Sequence, residues 1–214
     1  MIALGLASGI LNLAGSALYA YEVVKKRSVP ERATWFILTV LGLVAFFSQK
    51  GMGAQASLWF VGLQTVGVCV IFCLSIKYGV GGLVKRDALI LLAAAFGIIL
   101  WILTDEPLLA LVVVILVRSI ALGVTVYKTY KNPSSEATLP WLIYALSAVL
   151  AIASVGTMQF NLLLYPMYVI LADSAVMIAK YHKHLQVSRV SQEISSYIHP
   201  ADQIHNQPED RDIV

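Results

Sequence analysis

The stretches YEVVKKRSVPERATW (21–35) and VYKTYKNPSSEATLPW (126–141) decide how this chain is read. Each ends one long apolar run, passes through lysines, a proline, an acidic residue and a threonine, and opens the next run at a tryptophan. Basic loops are retained on the cytoplasmic side of a membrane, so both stretches are expected to face one compartment. Two more clusters, Lys77 with Lys85 and Arg86, and Lys180 with Lys183 and Arg189, continue the pattern. The alternate connections carry only Lys50, the pair Asp105 and Glu106, and no charge around Thr157. This distribution predicts seven spans in the plasma (inner) membrane, with the N-terminus outside and the C-terminus cytoplasmic.

Composition agrees. Of 214 residues, 59% are hydrophobic and 13% charged, outside the range of soluble domains. The formal charge of +3 is accounted for by the loops, which leaves no basic stripe for nucleic acid. The first run starts at Ile2 without a basic leader and is expected to stay as a helix rather than be cleaved. Cys69 and Cys73 fall one turn apart on one helix face and are expected to be small core filler, not a metal or redox site.

A helix needs roughly 20 apolar residues to cross a bilayer. The runs 2–24, 34–49, 55–77, 87–104, 107–129, 139–156 and 159–181 are the candidates. The second and sixth are short, but removing either would move a basic cluster to the outer face. Pro30, Pro107, Pro133 and Pro140 lie at helix ends, where proline is tolerated. After Arg189 the chain is polar, and 183–214 is expected to be a disordered cytoplasmic tail.

A shift of 103 positions brings the two halves into register: Lys77-Tyr78 falls on Lys180-Tyr181, Lys25 on Lys128, Pro30 on Pro133 and Ser16 on Ser119. The expected fold is therefore all-α. A three-helix repeat over 1–78 is followed by a linker with the fourth helix over 79–105, then a second repeat over 106–182. One linker span makes the two units parallel.

The same loop residues carry a family resemblance. VYKTYKNPSSEATLPW, and more weakly YEVVKKRSVPERATW, resembles the loop after the first helix of each repeat in the PQ-loop superfamily, which includes the SWEET and SemiSWEET sugar transporters. That resemblance implies the three-plus-one-plus-three layout and transport of a small solute. The Pro-Gln dipeptides of that family are absent, as are the hinge prolines of its first and fifth spans, so the resemblance speaks to fold more than to sugar. In that family an asparagine of the third and seventh helices contacts substrate. Asn161 lies too near the outer end to inherit the role, and its counterpart is Leu58.

Ionisable groups at bilayer depth are costly and need a reason. Arg118 lies about 11 residues, or roughly 16 Å, from the cytoplasmic end of its span, and Asp173 about 8 residues, or roughly 12 Å. They are expected to pair or to share a substrate, the alternative being a salt bridge that only fixes register. Gly5, Gly9, Asn12, Ser16, Tyr19 and Glu22 form one stripe on the first span, suited either to helix packing or to a water path. Glu22 reads as an interfacial ion-pair partner. Gln64, Thr65 and Asn161 are further polar candidates, either packing amides or site residues, and Pro166 is a candidate gate or a static bend. Trp35, Trp141, Tyr78, Tyr130 and Tyr181 are expected to form the interfacial belt.

The expected function is transport of a small polar metabolite, such as a sugar or amino acid, by alternating access. The charges favour a zwitterionic, anionic or otherwise polar solute, with Asp173 the candidate carrier if protons are coupled. The alternative is a non-transporting seven-helix subunit or assembly partner, and an oligomer is compatible with either. A retinal protein needs a lysine deep in its last helix, whereas Lys180 lies at the edge. No cofactor is implied, and no Ser/His, His/Glu or paired-carboxylate set occurs at depth to suggest an enzyme.

Overall fold

A computed structural model describes residues 1–82 and 106–198, the last sixteen of these by backbone only. Between them only Lys85, Ala88, Leu92, Ala95, Phe96, Ile99 and Leu103 are described, all helical and all exposed. The helices are α1 (Ile2–Val24), α2 (Arg32–Gly51), α3 (Leu58–Tyr78), α4 (Pro107–Lys131), α5 (Thr138–Val155) and α6 (Phe160–Ile198), with a 3-10 turn at Pro133–Ser135. All six are long and apolar enough to span a bilayer, α6 over Phe160–His182. This is an integral, multi-pass membrane protein. Of the expected span at 87–104, the residues other than Ala88, Leu92, Ala95, Phe96, Ile99 and Leu103 lie outside the described residues.

Local chemistry explains the helix ends. Glu31 caps α2, its carboxylate accepting from the Thr34 N–H at 2.8 Å and from the Thr34 hydroxyl. Pro107 opens α4, where a missing N–H costs nothing. α5 stops at Gly156, whose φ of +71° is the left-handed cap that glycine adopts without strain. α6 runs past the membrane edge to Ile198, so 183–198 is helical and not the expected disordered tail. Extending a formed helix adds one hydrogen bond per residue fixed, and no Gly or Pro intervenes before Pro200. The remainder of the tail lies outside the described residues.

In each half the third helix packs between the other two: α3 between α1 and α2, α6 between α4 and α5. α2 against α4 and α5 against α1 close the ring. The loops at 25–31 and 132–137 meet at one end, where the Val29 N–H donates to the Ser135 carbonyl (3.3 Å) and the Ala137 N–H to Ser28 Oγ (3.1 Å). Met1, Gly53 and Gly156 line one cleft at the opposite end. Hence α1, α3, α4 and α6 run towards the basic end, α2 and α5 run back, and the two triplets point the same way. Lys50, in the last turn of α2, and Lys128, in that of α4, accordingly sit at opposite ends.

The stripe on α1 is a packing face. A Cβ on Gly5 would stand 2.0 Å from the Ala56 carbonyl oxygen, one on Gly9 2.5 Å from that of Trp59, and one on Gly67 2.2 Å from Ser16 Oγ. Backbones approach this closely only where side chains are absent or small. Gly9→Val is expected to cost about 1–3 kcal/mol by overpacking, seen as a lower melting temperature in detergent. An unchanged melting temperature would show that α1 and α3 are not held at this distance.

Two further features differ from expectation. Trp35 and Trp141 are 4% and 3% exposed and belong to the core, not the interfacial belt. Ring closure turns the first turns of α2 and α5 inward, and both indoles pack on Tyr19, at 4.9 and 6.2 Å between ring centroids. Tyr130 and Tyr181 do lie exposed at helix ends. Cys69 and Cys73 face outward rather than into the core, because α3 buries its other faces against α1 and α2.

Candidate functional site

Each of the helices α1 to α6 sends a side chain into one central cavity of about 20 Å³, room for about one water molecule. Asn12 comes from α1, Trp35 and Leu38 from α2, and Gln64 and Val68 from α3. Arg118 and Leu122 come from α4, Trp141 and Tyr144 from α5, and Asp173 from α6. Trp35 and Leu38 correspond to Trp141 and Tyr144 under a shift of 106, the repeat shift plus the three residues added in the second loop. The apolar walls, Trp35, Leu38, Val68, Leu122, Trp141 and Tyr144, all belong to the core cluster that also contains Tyr19, Ile71 and Val176.

Arg118 and Asp173, 5% and 2% exposed, face this space together. They do not pair, since no guanidinium nitrogen lies within 4.0 Å of the carboxylate. Instead an Arg118 Nη–H donates to Tyr165 Oη (3.2 Å), and the Tyr165 hydroxyl donates to Gln64 Oε1 (2.9 Å). This chain joins α4 and α6 to α3 and holds the guanidinium over the Tyr165 ring, 5.9 Å from its centroid. Arg118 Nε, Asn12 Oδ1 and the Tyr144 hydroxyl have no hydrogen-bond partner, although all are buried. The Asn12 amide N–H is engaged, donating to Ser147 Oγ at 2.9 Å. Buried polar groups are nearly always satisfied, so three orphans on residues lining one small space make it the candidate site; Ser48 Oγ, both amide atoms of Gln49 and Ser135 Oγ are unsatisfied elsewhere.

Of the residues expected from sequence, the structure brings together Arg118, Asp173, Asn12 and Gln64. Tyr19 stands outside the cavity wall, its hydroxyl donating to Glu136 Oε1 at 3.2 Å. Asn161 is exposed near the start of α6 and takes no part. Its amide falls before the helix reaches the depth at which the triplets enclose space. Thr65 bonds back to its own helix, at the Val61 carbonyl (2.8 Å). Pro166 is buried within α6, next to Tyr165. Glu22 lies 3.9 Å from Arg27, the expected interfacial pairing.

A second polar centre closes the basic end, and sequence reasoning passed over it. Glu136, 1% exposed, accepts at Oε1 from Lys128 Nζ (2.6 Å) and Tyr19, and at Oε2 from the Trp141 Nε1–H (3.2 Å). Lys128 also donates to the Val29 carbonyl of the other triplet's loop (2.7 Å), and Lys180 donates to the Glu136 carbonyl. One carboxylate therefore ties α1, α4, α5 and, through its own peptide, α6. The available signal was an acidic residue among lysines in each of the two matching loops. The first-half counterpart, Glu31, caps α2 instead. No family model matches this chain, and no curated protein or solved structure matches it either.

Proposed function

We propose that this protein is a transporter for a small polar metabolite, working by alternating access between two like-oriented three-helix units. The observation that carries this reading is the buried polar cavity at the seam of the two triplets, to which all six helices contribute. A site shared by two halves opens to one side or the other as they rock. The two ends support it as well. The basic end is shut by the Glu136 centre and its loop-to-loop bonds, whereas the opposite end holds a cleft of about 350 Å³ bordered by Gln55, Ser57, Ser154, Thr157 and Gln159. Pro166 removes a backbone bond from α6 one residue from the Arg118 partner, which makes it the hinge of the proposal.

The proposal includes a seventh span. α3 ends at Tyr78 at the basic end and α4 begins at Pro107 at the other, so the chain between them must return across the molecule. Such a crossing completes the three-plus-one-plus-three layout of PQ-loop proteins, and with basic loops in the cytoplasm it sets the N-terminus outside.

The test starts from a variant with Cys69 and Cys73 replaced by serine. Sugars, amino acids, nucleosides and vitamins are screened for thermal stabilisation of the purified protein, and the ligand found is used as the uptake probe in proteoliposomes. Ser28→Cys with Ala137→Cys then places a disulfide across the two loops. Oxidation is expected to abolish uptake and reduction to restore it. Undiminished uptake with the loops cross-linked would eliminate opening at this end.

A further inference from the structure

The central cavity is lined by one buried guanidinium and one buried carboxylate that make no direct ion pair, and this selects among the solutes a transporter could carry. We infer that the substrate is a small zwitterion with an uncharged side chain, a neutral amino acid in chemical class, its carboxylate received by Arg118 and its ammonium group by Asp173 and Asn12. This rests on the transport reading above and narrows it.

The argument is one of charge accounting at depth. Arg118 keeps Nε unbonded and Asn12 keeps Oδ1 unbonded, one a donor and one an acceptor. The carboxylate of Asp173 faces the same space. A neutral sugar would leave both groups without a counter-charge in direct contact in a low-dielectric interior. An anion would satisfy Arg118 but stand beside Asp173, and a cation would satisfy Asp173 but stand beside Arg118. Only a solute bearing both charges complements both. Among the described residues no other charged side chain lines the cavity, whose remaining walls include Trp35, Leu38, Val68 and Leu122, so a third charge on the solute would go unmatched. The Nε–H and Oδ1 orphans match the two ends of such a molecule in hydrogen-bond sense as well as in charge. At about 20 Å³ the cavity is in its closed form, and the solute occupies it once the triplets part.

The full-length protein in proteoliposomes is tested with radiolabelled L-alanine, L-serine, L-leucine and L-phenylalanine, each beside its methyl ester and its N-acetyl derivative. L-lysine, L-glutamate, glucose and uridine complete the set. At least one neutral amino acid is expected to be taken up, with its ester and its acetyl derivative at least about tenfold poorer, as loss of one charged hydrogen bond implies. Arg118→Gln is expected to erase the discrimination against the ester alone, and Asp173→Asn that against the acetyl derivative alone. A purely structural pair would not divide its effects in this way. Should either variant fail to fold, the discrimination by the unaltered protein still decides. Uptake of glucose, uridine, lysine or glutamate in preference to every neutral amino acid overturns the substrate class and leaves transport standing. No uptake or thermal stabilisation with any of these probes or with those of the broader screen removes both.

Discussion

Asparagine in place of Asp173 is expected to lower initial-rate uptake by about 100-fold while the protein still expresses and melts at or above the temperature of the unaltered chain. The size follows from losing a charged contact to the solute, about 1.5–3 kcal/mol, which at the upper end is about two orders of magnitude. The opposite behaviour of stability follows from geometry. Asp173 is 2% exposed and makes no ion pair with Arg118, so its charge is desolvated without a direct return in the closed form. Asparagine keeps the shape and removes that burden. Were Asp173 a strut, the substitution would instead lower the melting temperature and uptake together. Exchange of the two residues, Arg118→Asp with Asp173→Arg, separates the cases further. Full transport by the exchanged protein would reduce both to interchangeable counter-charges.

Glu136→Ala is expected to be the most destabilising single change in the described loops, costing about 3 kcal/mol. That is the lower end for breaking a buried ion pair, because the Lys128 side chain retains 24% of its exposure and can be hydrated. For a chain of this length the loss corresponds to a melting temperature lower by roughly 10 °C. Glu136→Gln keeps one of the two acceptor oxygens, for the Trp141 N–H, and replaces the other with an amide donor that the Tyr19 hydroxyl can accept from, so it is expected to recover about half of the loss. With the basic end loosened, both variants are also expected to admit thiol reagents to a cysteine introduced at Trp35. A Glu136→Ala protein that melts normally and stays closed to such reagents would show that the loop centre holds nothing shut.

The fold was largely legible in the residues. Length and apolarity set the six described helices, and apart from α6, which continues past its expected end at 181 to Ile198, their ends fell within about three residues of expectation, because a bilayer demands a fixed span and its edges are written in lysines and prolines. Burial of Arg118 and Asp173 was legible for the same reason, since an ionised group at that depth must turn away from lipid. Their relationship was not. Depths within about one helical turn of each other leave the rotation of each helix undetermined, and it is rotation that set the two residues on one cavity with Arg118 hydrogen-bonded to Tyr165 instead of to Asp173. Asn161 shows the same limit from the other side, polar and in the right span yet exposed near its start.

Glu136 and the two tryptophans mark the boundary most plainly. In the sequence each stands in or beside a loop, where a carboxylate is normally solvated and an indole sits at the interface. What buried them is the joining of two halves: the loop of one triplet folds onto that of the other, and Lys128 reaches the Val29 carbonyl across the seam. The amino-acid sequence by itself determined which segments are helices, that the two halves share one pattern, and which charges lie at depth, all properties of local composition against a layer of fixed thickness. Which polar groups meet, which are left unsatisfied around one space and which end is closed were decided only by tertiary packing, because these depend on helix rotation and on contacts between residues about a hundred positions apart.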